Sequence, residues 1–340
     1  MNLTLDEFLR RNNVSQESWE ASQCNWNSLL EIANDHENNF PVLLQSADFF
    51  AKLIQAFPVV HSVRWRVKNP EHLIEKIVRK RANGEEKYKD VNLQNYYTVV
   101  TDLIGIRALH LFKDDCFAID RLLTANWQPI ETPIVYTRAG DHEDFLAKLQ
   151  AQGFEIKSHP AGYRSVHYVF ASQPLARKVM MEVQVRTIFE EGWSEIDHKV
   201  RYPNFSENPL VSYLLTIFNR MAGSADEMGG FVLGLASALG DFDEKMNLAV
   251  AEKDRSFAAM ESALKELESV KKQDLESKEN LSKLKGELEK MKKQSAVALV
   301  SNDDIWKTLG DIAIQFANKN KTDSANKEII NLKFYDSKKR

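Results

Sequence analysis

The chain has 340 residues, 43% of them hydrophobic and 28% charged, with a formal net charge of -4. That is enough apolar material for one large domain with additions, and the net charge gives no global signature of nucleic-acid binding. No apolar run approaches the roughly 20 residues of a membrane span, and "MNLTLDEFLRRNN" lacks the basic start and apolar centre of a signal peptide, so the expected compartment is the cytoplasm, without a membrane.

In chain order, residues 1–60 read as a helical lead-in with capping candidates at Thr4 and Ser15 and an apolar-periodic run closed by Pro58. Between Ser62 and Lys89 there are nine Lys or Arg against four Glu, a local positive excess that suits an acidic ligand. From 61 to about 202, strand-like and helix-like pieces alternate: "HSVRWRVK", a helix "PEHLIEKIVRKR" with Pro70 in its first turn, "DLIGIRALHLF", a helix through "DDCFAIDRLL", then "YRSVHYVF" and "MEVQVRT". This is the pattern of an α/β (α+β) domain with a sheet flanked by helices. The expected divisions are the lead-in at 1–60, this domain at 61–220, a helical region at 221–296, and a helix and tail at 297–340.

A Gly-containing helical stretch at 206–240 precedes a long helix from Asp241 to Ala296. Phe257, Met260, Leu264 and Leu267 step as a coiled-coil seam does, and so do Leu281, Leu284, Leu288 and Met291. The two blocks do not share a register, since continuing the first puts Lys271, Asp274 and Lys278 in the seam. A stutter or a hairpin turn would reconcile them. The region 241–296 is either an amphipathic helix packing on its own chain or a surface for a homo-oligomer or protein partner. A helix at 303–319 and a strand at 328–336 complete the reading. Cys24 and Cys116 lie far apart without His at metal-ligand spacing and read as reduced core thiols.

Four groups could carry chemistry. Arg64, Arg66 and Lys68 alternate on one strand, and Lys76, Arg79 and Lys80 share one side of the following helix, a cluster that a polyphosphate would neutralise. Asp102 precedes an apolar strand that carries Arg107. Two carboxylates, Asp102 and Glu182, near such a cluster are what Mg²⁺ uses together with phosphate oxygens. Gly162 before Tyr163 suggests a loop that approaches a ligand closely and a ring that can stack on a base. Lastly, Glu182, Gln184 and Arg186 alternate with Met181, Val183 and Val185, which puts three polar groups on one face of a strand.

The segments "VRWRVKNPEHLIEKIVRK", "TDLIGIR", "GYRSVHY", "MEVQVRT" and "WSEIDHKV" stand in the order and approximate spacing of the synthetase domain of RelA/SpoT-type alarmone synthetases, and the chain resembles that family over roughly 40–220. The resemblance implies a nucleotidyltransferase-like fold and transfer of the β,γ-pyrophosphate of ATP to the 3'-hydroxyl of GDP or GTP, making ppGpp or pppGpp. It also implies roles. Arg66 and Arg107 would sandwich adenine, and Lys68, Lys76 and Arg79 would hold the ATP phosphates. Asp102 and Glu182 would hold Mg²⁺, with Glu182 also drawing the proton from the attacking hydroxyl. Tyr163, Gln184, Arg186 and His198 would line the acceptor side.

The chain departs from the family pattern at two places. His159, Pro160 and Ala161 replace a Lys and Asn expected before "GYR", and Glu191 stands where several relatives carry an Asn near the guanine. No spaced His and His-Asp cluster precedes the domain, so synthesis without hydrolysis is expected. Two competing readings keep the same chemistry or none. One is a toxin that pyrophosphorylates the 3'-CCA end of tRNA, which needs a basic track where the lead-in offers Arg10 and Arg11. The other is a partner-regulated scaffold.

Overall fold

The computed structural model describes residues 3–138, 141, 143–159, 162–173, 177–200, 209–270 and 275–298. The helix and strand expected at 303–319 and 328–336 lie outside them. The chain divides into two compact units, Met1–Gly230 and Phe231–Arg340.

The first unit opens with helices α1 (Leu5–Arg11), α2 (Gln16–Ser22) and α3 (Trp26–Gln55). Thr4 and Glu7 cap α1 reciprocally and Ser15 caps α2, as their sequence positions predict. Strand β1 (Ser62–Val67) leads into α4 (Pro70–Ala82), where the Asn69 side chain accepts from the Glu71 amide and Pro70 occupies the first turn. A short turn at Glu86–Tyr88 and α5 (Tyr96–Val99) precede β2 (Ile104–His110), and α6 (Asp115–Asn126) follows. Then come β3 (Ile134–Thr137), α7 (Glu143–Ala151), β4 (Glu155–Ser158), β5 (Ser165–Ser172), β6 (Val179–Thr187) and α8 (Ile188–Val200). The strands form one mixed sheet in the order β1-β2-β6-β5-β3-β4. The neighbours β2 and β6 are parallel, while β1 and β5 run antiparallel to them.

Period-two alternation divides the sheet's faces. Ile104, Ile106, Ala108, Met181, Val183, Val185, Val166, Tyr168 and Phe170 are buried in one core with α3 and α6 residues such as Phe50 and Ile119. Leu73, Ile74, Ile77 and Val78 of α4 form a second core with the lead-in helices and Tyr96. Full burial of each such side chain contributes about 1.5–3 kcal/mol. The lead-in is therefore part of the fold that fixes α4.

Helix α9 (Pro209–Val270) spans 62 residues and α10 (Leu275–Ala298) 24. The sequence reading separates a Gly-containing stretch from a long helix; the structure joins them as one, with Gly223, Gly229, Gly230, Gly234 and Gly240 inside it. In the second unit Lys285 pairs with Glu268 at 2.7 Å and Lys292 with Glu261. The later residue meets the earlier partner, which is the antiparallel pairing of a hairpin. Among the described residues no helix is long and apolar enough to cross a membrane.

Candidate active site

The polar face of the sheet is set by register. Arg64 lies opposite Arg107 and Arg66 opposite Gly105 across β1 and β2. Gly105 and Arg107 lie beside Glu182 and Gln184 across β2 and β6, and His167 of β5 lies opposite Gln184. A cleft of about 150 Å³ on this face is lined by Arg64, Arg66, Asp102, Arg107, Glu182 and Gln184 among others. The Arg66 side chain passes over Gly105, where a Cβ would meet Arg66 Cγ at 3.7 Å, an ordinary van der Waals contact.

Two arginines directly opposite each other repel unless an anion lies between them. Glu191 supplies it from the first turn of α8: its Oε1 accepts from Arg64 at 3.0 Å and from Arg107 at 2.9 Å, and its Oε2 lies 3.4 Å from Arg186. Glu195, one turn on, pairs with Arg107 and lies 3.4 Å from Arg64. Glu191 is buried and its side chain is committed to three guanidinia, where the sequence reading places it near an acceptor guanine.

Glu182 is held in place on both sides. Its Oε1 accepts from Gln184 Nε2 at 3.1 Å and lies 3.0 Å from His167 Nδ1. A carboxylate only accepts, so Nδ1 carries the proton, and in the neutral ring Nε2 accepts the Ser165 hydroxyl at 2.6 Å. Burial pushes the Glu182 carboxyl up, but His167, Gln184 and the Lys76 charge outweigh it and hold the group at about 2. Arg186 donates to Gln184 and to Ser194 at 3.0 Å, so the polar residues of β6 form one chain of hydrogen bonds.

The basic corner is internally neutralised. Asp102 accepts from Lys68 at 2.9 Å and Lys76 at 2.8 Å; burial raises its pKa, and these two lysines more than reverse the shift. Arg79 pairs with Glu75 at 2.9 Å and Lys80 with Glu85 at 2.6 Å. The positive excess read from the sequence thus meets anions drawn from α4, from the loop after it and from the segment before β2. Two hard carboxylates in one cleft fit a Mg²⁺ ion that arrives with phosphate oxygens. Among the described residues no group of three or more His, Cys, Asp or Glu is arranged to hold a metal by itself.

Tyr163 sits in an aromatic cluster. The His159 ring lies 3.7 Å from it, Tyr136 6.3 Å and the buried Trp193 6.1 Å, with the Arg186 guanidinium 5.6 Å from its centroid. Burial raises the Tyr163 phenol. His198 is exposed in the last turn of α8 and is not among the residues lining the cleft. Sequence reasoning missed Tyr136, Ser165, Glu195 and the support that His167 gives to Glu182. His167 was legible as the alternate residue beyond Ser165 on β5, but its partner depends on which strand lies beside it.

Residues 65–207 match the family described as the region found in RelA / SpoT proteins. GTP pyrophosphokinase YwaC of Bacillus subtilis (strain 168) is 24% identical over 150 residues, 43% of this chain and 59% of that protein, so the chain spans less than two thirds of that relative's length. Among solved structures, small alarmone synthetase 1 from Bacillus subtilis is 23% identical, with 60% of this chain and 99% of that one covered and a TM-score of 0.43. The same protein bound to its product pppGpp gives 22%, 62% and 98%, with a TM-score of 0.38. The matched segment runs from Trp65 in β1 through α8 and holds every element that builds the cleft except the start of β1. The match to the region found in RelA / SpoT proteins thus extends over residues 65–207, less than half of the chain.

Proposed function

We propose that the chain is an ATP:guanine-nucleotide 3'-pyrophosphotransferase, making ppGpp and pppGpp from GDP and GTP. The observation that carries this reading is the layout of one sheet face. Arg66 and Arg107 flank Gly105, Glu182 lies in register beside that glycine, and a basic corner and an aromatic cluster stand on either side.

Adenine inserts between Arg66 and Arg107. For this Arg107 must release Glu191 and Glu195, which tie it across a cleft smaller than the roughly 300 Å³ at which ligand pockets begin. The Arg107 guanidinium then exchanges carboxylates for a π-face. Lys68, Lys76 and Arg79 turn from Asp102 and Glu75 to the ATP phosphates. Asp102 and Glu182 would hold Mg²⁺, which supplies charge neutralisation on the transferred group. Glu182, fixed by His167 and Gln184, accepts the proton of the 3'-hydroxyl as its oxygen bonds to the β-phosphorus and the bond to the α-phosphate oxygen breaks, releasing AMP. Gln184 and Arg186 line the acceptor side, where the base stacks on Tyr163. His159, directly against the Tyr163 ring, is assigned to that side as well, whereas His198, exposed and off the cleft lining, is left without a role in this reading.

The test offers the purified protein Mg²⁺ and γ-labelled ATP with GDP, GTP, ADP or bulk tRNA in separate tubes. Label on a guanine nucleotide is the expected result. Label on tRNA alone would replace this reading with the RNA-modifying one, and no transfer to any acceptor would leave the scaffold reading.

A further inference from the structure

Tyr163 is flanked by two anchored residues. Gly162 has φ +72°, the left-handed region that favours glycine, and its amide donates to the His159 carbonyl at 2.8 Å. Its own carbonyl accepts from Asn219 Nδ2 of α9 at 3.0 Å. On the other side the Arg164 guanidinium pairs with Asp141, whose side chain is fully buried, and lies 4.0 Å from Asp226 and 3.7 Å from Glu227, both on α9. The tyrosine is therefore held through its neighbours rather than through its own hydroxyl.

The Asn219 amide has one possible orientation. Arg138, which can only donate, bonds both the Asn219 carbonyl, at 2.9 Å, and its side-chain Oδ1, so Nδ2 is left to face Gly162. Arg138 in turn lies flat on α9 at Gly223, where a Cβ would fall 1.2 Å from its Nη2. Asn219, Gly223 and Asp226 are one and two turns apart on a single face, and one turn earlier the Leu215 carbonyl accepts from Trp193 Nε1 at 3.1 Å. Asn219 is buried and lies outside the segment 65–207 shared with the RelA/SpoT family.

We propose that Asn219 is a positioning residue for the acceptor nucleotide: it fixes the Gly162 carbonyl and so sets the direction in which the Tyr163 ring presents its face. The proposal rests on the pyrophosphotransferase reading of the site. The adenine-side residues Arg66, Arg107 and Asp102 lie on or beside β1 and β2 and share no bond with Asn219, so the effect is confined to the acceptor.

Two variants of the full chain separate the two bonds. Asn219→Asp keeps an oxygen for Arg138 and removes the donor to Gly162, while Asn219→Ala removes both. We expect the acceptor KM to rise about tenfold in both, the loss of one oriented hydrogen bond, with the ATP KM within about twofold of the parent. Backbone amide exchange over residues 162–165 should accelerate in both. A rise in neither acceptor KM nor exchange, or an equal fall in kcat with both KM values unmoved, would overturn the assignment and leave Asn219 a purely structural residue. If the parent protein transfers no pyrophosphate, the functional reading fails, and the exchange measurement still decides whether Asn219 fixes the loop.

Discussion

Glu191 shows how much one side chain organises at the residue scale. A carboxylate buried among Arg64, Arg107 and Arg186 neutralises part of a cluster that would otherwise repel itself, and its removal leaves guanidinia short of a partner. Glu191→Gln is expected to cost on the order of 2 kcal/mol, discounted because Arg64 is more than half exposed, with denaturant titration as the measurement. Glu195→Gln, at a more open position, should cost less than about 1 kcal/mol by the same measurement. Glu182→Gln keeps the shape and removes the charge, and at least a roughly hundredfold fall in kcat is expected if the group takes the hydroxyl proton. Retained activity with an unchanged circular dichroism spectrum would remove Glu182 from that role. Much of this residue pattern was legible. Alternation alone places Glu182, Gln184 and Arg186 on one face, but Glu191 reads as an acceptor contact until β1 and β2 are seen to put two arginines opposite each other.

Helix α9 carries the consequences that belong to the element scale. Its glycines are not equivalent: at Gly223 the Arg138 guanidinium occupies the place of a Cβ, whereas nothing lies within 4 Å at Gly234. Gly234→Ala should stabilise the chain by about 0.5–1 kcal/mol through helix propensity, while Gly223→Ala should destabilise it by displacing Arg138 from Asn219; thermal melting of the two variants gives opposite signs. Burial and the neighbouring Glu190 carboxylate push Asp226 up to about 7 against the pull of Arg164 and Arg138. A carboxyl raised in the folded state holds a proton that the unfolded chain releases from about pH 4 upward. Stability therefore falls as pH rises from there to about 7. Asp226→Asn removes that dependence and should raise stability on the order of 2 kcal/mol at pH 8, progressively less toward pH 5, and change little at pH 3. Strands β1, β2, β5 and β6 and helices α4 and α6 were legible because each carries a clear period. Strands β3 and β4, four residues each, are too short to show one.

On the scale of the whole molecule, the chain separates into a unit that holds the cleft and a unit that contains a helical hairpin. The mismatch between the two apolar seams suggests a stutter or a hairpin turn in sequence, and the ion pairs of Glu268 with Lys285 and Glu261 with Lys292 set the two helices antiparallel. Those pairs are exposed and contribute little to stability. What the sequence could not convey is that α9 begins within the first unit and contributes Asn219, Asp226 and Glu227 to the support of Tyr163, because that depends on contacts between residues more than fifty positions apart. In the proposed reaction pyrophosphate moves as one unit from ATP to a guanine nucleotide. Its most direct test supplies ATP labelled at both the β- and γ-phosphates together with GDP and Mg²⁺, and follows both products. Equimolar AMP and a guanine nucleotide carrying both labels at its 3'-position is the expected result. ADP as the donor product, or label in free phosphate with the guanine nucleotide unchanged, would contradict it.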